Sequence, residues 1–142
     1  MWIEGKLEKS GRFWAVSIPA LEVYTQGRTK KEAYFMAKDA LEGLAEVDGF
    51  DLDITVMPEG GELFRAGAND TKAFTAFVLR RWRQAHHLTL AEASERLGAV
   101  SKNAYARYEQ GRSEPTISMM ERLIHAISPG EPLHVVFGGA TR

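Results

Sequence analysis

Short segments in the first 66 residues alternate apolar and polar positions with a period of two, which is the pattern of half-buried strands. Five segments are predicted as strands: residues 1–9, 13–18, 22–26, 51–57 and 62–66. A tight turn at Gly11 joins the first two, since glycine adopts positive φ at little cost. The pattern therefore predicts a small sheet.

One helix is predicted between the third and fourth strands. Thr29 and Glu32 have the spacing of a capping box, which marks a helix N-terminus. Apolar residues then recur at intervals of three and four, at Ala33, Met36, Ala37, Ala40, Leu41 and Leu44. The helix is expected to end near Glu46, before Gly49. The predicted fold of this half is α+β, with one helix packed on a small β-sheet.

The pattern becomes helical after residues 67–70, which are small, polar and typical of a linker. The first helix of this half carries one apolar stripe: Phe74, Phe77, Val78, Trp82 and Ala85. Three shorter helices follow, the first opened by a capping box at Thr89 and the last covering residues 117–127. Alternation over residues 132–137 predicts a short C-terminal strand.

Two short helices joined by a tight turn at Gly98 carry the strongest functional signal. This arrangement is typical of a helix-turn-helix, which presents its second helix to the DNA major groove. Small residues at Ala93 and Ser94 would let the two helices pack closely. Ser101 can cap the second helix, whose exposed residues are suited to base edges and phosphates: Lys102, Asn103 and Arg107.

Residues 80–127 resemble the helix-turn-helix of the lambda-repressor-like (XRE) family. The matching positions are Arg83, residues 88–92, Leu97, Gly98, Val100, Ser101, residues 107–112, Pro115, Met119, Leu123, Ile124 and Ile127. The resemblance implies that Lys102, Asn103 and Arg107 touch bases and that Ser101 contacts a phosphate. It also implies an internal ion pair between Arg83 and Glu109.

The sequence departs from the XRE pattern in two places. Leu90 stands where the family often has Gln, which leaves one phosphate contact open. The turn at residues 98–101 is one residue longer than usual, which leaves the register of the second helix open. In a shifted register, Ala104 or Tyr105 would face DNA instead.

The N-terminal half resembles HicB antitoxins, through residues 13–21, 25–29, 32–33 and 37–41. Residues 20–23 depart from the turn that is usual in that family. The resemblance implies a partial RNase H-like domain that neutralises a small basic mRNA-cleaving toxin, HicA, while the C-terminal domain represses the operon. The expected domains are 1–66 for toxin binding, 67–70 as linker, and 71–142 for operator DNA and dimerisation.

The distribution of charge agrees with two different partners. Residues 1–69 carry 8 Lys/Arg and 12 Asp/Glu, whereas residues 70–142 carry 10 and 7. A basic half suits a phosphate backbone, and an acidic half suits a basic protein. The sequence has no cysteine and no long apolar run, and its N-terminus lacks the pattern of a signal peptide. We expect a cytoplasmic protein without cofactor, metal or membrane contact.

Two other functions stay open beside the antitoxin and autorepressor. One is a transcriptional regulator whose N-terminal domain senses a small molecule. The other is a nuclease, for which Asp51 and Asp53 on one strand face, with Glu4 and Glu8, are the candidates. Solvated carboxylates on a sheet face are the simpler interpretation of these four residues. The histidines do not have metal-ligand spacing: His86, His87, His125 and His134.

A homodimer built from the C-terminal half is also expected, because one helix-turn-helix reads too few base pairs for useful specificity. Residues 133–137 could pair across the dimer as a strand or pack on their own domain.

Overall fold

The N-terminal half forms a five-stranded antiparallel sheet in the order β3-β2-β1-β5-β4. The structure is a computed structural model that describes residues 1–98, 102–131 and 133. The strands are β1 (Trp2–Ser10), β2 (Phe13–Ile18), β3 (Val23–Gly27), β4 (Ile54–Gly60) and β5 (Leu63–Ala68). The α+β prediction for this half is confirmed.

The connection between β2 and β3 is a single 3₁₀ turn at Pro19–Leu21. It ends at Glu22, whose φ of 52° lies in the left-handed region that glycine usually occupies. The backbone N–H of Glu22 donates to the carbonyl of Pro19 at 3.1 Å, which closes the turn. The unusual sequence at residues 20–23 therefore still reverses the chain into an antiparallel strand.

Helix α1 (Lys30–Val47) covers one face of the sheet. Its N-cap Thr29 accepts the backbone N–H of Glu32 at 3.0 Å. Small side chains bring the helix close to the strands: a Cβ added at Gly27 would lie 2.4 Å from the backbone N of Ala33. The residues of α1 that are buried against the sheet are Ala33, Ala37, Leu41 and Ala45.

The start of β4 differs from the prediction. The strand begins at Ile54, so Asp51 and Asp53 precede it and do not lie on a strand face. Leu52 is nevertheless buried in the core, which explains the apolar alternation seen in the sequence. The period-two pattern continues past the end of the hydrogen-bonded ladder because a buried side chain does not require strand pairing.

The C-terminal half contains α2 (Thr71–Ala85), α3 (Leu90–Leu97), α4 (Lys102–Glu109) and α5 (Ile117–Ile127), as the periodicity predicts. The capping box of α3 is complete, since Thr89 accepts the N–H of Glu92 and the Glu92 carboxylate accepts the N–H of Thr89. Thr116 caps α5 with a single bond, in which its side chain accepts the N–H of Met119. The predicted strand at residues 132–137 lies outside the described residues except for Leu133.

Helix α2 contributes to two separate apolar cores. Phe74 and Phe77 are fully buried with the residues of the sheet and α1. Leu79, two residues after Phe77, is buried in the second core with α3, α4 and α5, whose other members are Leu88, Ala93, Tyr105, Leu123 and Ile127. The division into domains, with a linker at residues 67–70, stays a prediction. In the structure, β5 extends into this segment as far as Ala68.

Within the part of the chain that the structure describes, no helix combines the length and apolar character needed to cross a membrane.

Candidate nucleic-acid interface

Helices α3 and α4 form the pair that the sequence predicts as a helix-turn-helix. Ala93 and Ser94 of α3 are buried, so the small side chains lie where the two helices approach each other. Helix α3 ends at Gly98, whose φ of 75° is unfavourable for any residue with a Cβ. Residues 99–101, including the predicted phosphate contact Ser101, lie outside the described residues.

The two faces of α4 are clearly different. Tyr105 and Glu109 are 1% and 3% exposed and face the second core, whereas Asn103 and Arg107 are exposed to solvent. The alternative register in which Tyr105 faces DNA is therefore wrong, because its side chain is in the core. Lys102 is the first residue of α4. The exposed face thus brings together Asn103, Ala104 and Arg107.

The loop after α4 holds the Arg107 side chain. The chain turns at Gly111, with a φ of 69°, and the backbone N–H groups of Arg112 and Ser113 donate to the Arg107 carbonyl at 3.0 and 3.3 Å. This turn places the Ser113 hydroxyl 3.2 Å from Nε of Arg107. Because the bond involves Nε, the terminal amino groups of the guanidinium are available for a bidentate contact with guanine or phosphate.

Sequence reasoning did not find the contribution of Ser113. The contact with Arg107 joins residues six apart across a turn, and no helix or strand periodicity relates them. The only signal was indirect, namely the glycine at position 111 that permits the turn.

A buried ion pair fixes α4 relative to α2. The Arg83 guanidinium donates to both oxygens of Glu109, from Nε at 2.7 Å and from Nη2 at 2.9 Å. Its remaining amino group, Nη1, donates to the Leu88 carbonyl at 2.8 Å, just before α3 begins. The side chains are only 10% and 4% exposed. One arginine therefore connects the end of α2, the start of α3 and the end of α4.

The electrostatics of this pair favour its charged form. The hydrogen bond to Glu109 holds the pKa of Arg83 above its usual value, although burial acts in the opposite direction. The Tyr105 hydroxyl lies beside the pair, and burial raises the pKa of that phenol well above its normal range. Asn103 and Arg107, on the opposite face of α4, are thus presented by a helix whose inner face is held by a charge-assisted contact.

The carboxylates considered for a nuclease are dispersed. Asp53 is exposed and accepts a hydrogen bond from Lys38 at 3.2 Å, while Glu4 and Glu8 lie on β1. Among the described residues, no cluster of three or more carboxylate or imidazole groups could hold a metal ion. The His86 ring stands 2.8 Å from the Trp82 carbonyl at the end of α2, and His134 lies outside the described residues.

Comparison with known families agrees with this geometry. Residues 79–128 match a family model described as Helix-turn-helix, and this match covers the end of α2 through α5. The chain therefore contains a helix-turn-helix, which supports a role as a DNA-binding transcription regulator. No curated protein matches the chain. The family match does not extend to residues 1–78, so the resemblance of the sheet to HicB stays a prediction.

Proposed function

We propose that this chain is a non-enzymatic antitoxin that also represses its own operon. The DNA-binding part is carried by α4, and the antitoxin part by the sheet. The observation that supports the antitoxin role is the face of the sheet opposite α1, which none of the described helices covers and which combines apolar side chains with the carboxylates of Glu4 and Glu8 and the cations of Lys6 and Arg65.

The exposed sheet face has the chemistry expected of a surface that receives a basic protein. Trp2, Met57 and Leu63 are 46%, 40% and 39% exposed there. On β1, Glu4, Lys6 and Glu8 follow Trp2 on the same face, and Lys6 pairs with Leu63 of β5. Apolar area can hold a complex together, while carboxylates steer and orient a cationic partner. The proposed partner is a small basic toxin of the HicA type.

The aromatic part of this face is well ordered by neighbouring groups. The Trp2 ring lies over Gly67 on the adjacent strand, where an added Cβ would come within 2.8 Å of it. The Arg65 guanidinium stacks 4.9 Å from the centre of the same ring. A rigid, half-exposed tryptophan of this kind is a typical anchor residue in a protein interface.

On the DNA side, we propose that Asn103 and Arg107, together with Lys102 and Ser101, contact the operator. Two copies would bind half-sites about 10 bp apart, or a multiple of that, as expected for a two-fold helix-turn-helix dimer. The C-terminal half is proposed as the dimer contact.

Replacing Asn103 by Ala is expected to weaken binding to the operator by about 1–3 kcal/mol, because a bidentate amide contact to a base would be lost. Binding to random duplex should hardly change, since no charge is removed. Fluorescence anisotropy with both duplexes at fixed salt measures the two affinities. Ala104→Ser, on the same exposed face, is the control for a change that removes no contact. Equal losses on both duplexes would show that Asn103 does not read sequence.

Replacing both Glu4 and Glu8 by Lys is expected to slow association with the toxin by about tenfold at low salt, because the steering field is reversed. Stopped-flow mixing of the full chain with the small basic protein encoded beside it gives this rate, and the difference should shrink as salt rises. The matched control is Asp39→Lys with Glu46→Lys on α1, which makes the same change in net charge on the covered side of the sheet.

Equal association rates for both variants would remove the sheet face from the toxin interface. If the native chain neither binds nor inhibits the adjacent protein, the antitoxin proposal fails. A regulator with a ligand-sensing N-terminal domain then becomes the better account.

A further inference from the structure

The sheet has two edge strands, β3 and β4, and they differ in whether their outer backbone groups are blocked. An edge strand offers unpaired backbone N–H and C=O groups to any other strand, and proteins usually block such edges. Only one of the two edges leaves these groups available for pairing with another strand.

The β4 edge is blocked by side chains and by its own sequence. At Ile54 the carbonyl accepts from Nζ of Lys38 at 2.6 Å, and the N–H donates to Glu42 at 3.1 Å. Both side chains come from α1, so they occupy backbone groups that another strand would need. Pro58 supplies no N–H, and the register shifts between Pro58 and Gly60. A further strand cannot pair regularly along β4.

The β3 edge has none of these protections. No side chain among the described residues hydrogen-bonds to the backbone of Val23–Gly27. The strand contains no proline and no charged residue, and two of its five residues are β-branched. Tyr24 is 67% exposed. This is the composition of a strand that pairs, and charged residues appear only immediately outside it.

We propose that the β3 edge binds the β3 edge of a second copy of this chain, as an antiparallel pair about a two-fold axis at Thr25. In the register in which all five residues pair, Val23 of one copy faces Gly27 of the other. Tyr24 faces Gln26, and Thr25 faces Thr25. Two threonines opposite each other are a favourable cross-strand pair.

The charges that flank β3 are complementary under this symmetry. The antiparallel arrangement brings the end of β3 that is flanked by Glu22 in one copy to the end flanked by Arg28 in the other, and the two-fold axis repeats this at the other end. A charge within the strand would instead risk facing its own symmetry mate, and Val23–Gly27 contains none. Self-complementarity of this kind is what an isologous interface requires.

The interface is small, because it pairs five residues on each side. Such a contact is weak by itself, but it gains from a high effective concentration when the copies are also held elsewhere. It is separate from the C-terminal dimer contact of the proposed function and does not depend on that contact or on toxin binding.

Cysteine cross-linking of the full chain tests the proposal, because the sequence contains no cysteine. Directly opposed residues of an antiparallel pair have Cα atoms about 4.5–5.5 Å apart, which is within disulfide reach. Thr25→Cys is therefore expected to form a covalent dimer quickly under mild oxidation at micromolar concentration. The control is Thr55→Cys, which is exposed on the blocked β4 edge and is not expected to meet a second copy. Non-reducing electrophoresis over time gives both rates.

A charge-exchange series identifies the register. Adding Arg28→Glu to the Thr25→Cys chain is expected to slow cross-linking by about threefold to tenfold, since two attractive pairs become repulsive. Adding Glu22→Arg as well restores both pairs and should restore the rate. If Thr25→Cys cross-links no faster than Thr55→Cys, the proposal is wrong. The same holds if the rate is low because another protein occupies the edge. If neither charge change alters the cross-linking rate, the proposed register is wrong.

Discussion

Glu109→Gln is expected to lower the free energy of unfolding by about 3–5 kcal/mol, the cost of leaving a buried charge without its partner. The Arg83 guanidinium would keep its positive charge in a site where only 10% of the side chain is exposed. It would also lose two short charge-assisted hydrogen bonds to a carboxylate. Urea denaturation followed by circular dichroism measures the change, and operator binding should weaken because α4 loses its attachment to α2.

Two controls separate this effect from a general effect of charge. Asp53→Asn breaks an exposed ion pair with Lys38 and should change the free energy of unfolding by less than about 1 kcal/mol. The double variant Arg83→Met with Glu109→Leu removes both charges and fills the space with apolar groups, so it should be far more stable than the single variant. If the double variant is as unstable as Glu109→Gln, the loss comes from packing and not from the unpaired arginine.

The helix-turn-helix could be predicted from the sequence because its signals are local. The Thr89 cap with Glu92 and the glycine at position 98 each specify a helix end within a few residues. The structure shows both with the expected geometry. The placement of Arg83 beside Glu109 came from the XRE resemblance, since nothing local relates residues 26 positions apart.

The features that could not be predicted are non-local. The order of the strands depends on pairing between β1 and β5, which are about 60 residues apart in sequence. The blocking of the β4 edge depends on two side chains of α1 that reach Ile54 across the connection. Neither can be predicted from periodicity, because each joins groups from segments that are distant in the sequence.

The contacts that join the two halves could also not be predicted from the sequence pattern. Residues 67–70 have the composition of a linker, yet Gly67 and Ala68 continue β5, and Asp70 caps α2 directly after it. The apolar stripe of α2 was predicted, but not that its first part belongs to the core of the sheet. Arg80 and Arg81 add polar contacts of α2 with Asp48 and with the Leu21 carbonyl. The two halves are thus joined along one helix.

Because α2 joins the two cores, a substitution in it is expected to have the second large effect on the free energy of unfolding. Phe77→Ala is expected to lower the free energy of unfolding by about 3–5 kcal/mol, because the ring is fully buried in the core of the sheet. Phe35→Ala removes the same ring from an exposed site on α1 and should change it by less than about 0.5 kcal/mol. Since Phe77 and Leu79 lie on one helix, native-state hydrogen exchange should show lost protection in both β2 and α5. Loss confined to β2 would mean that the helical half is stable independently of the sheet.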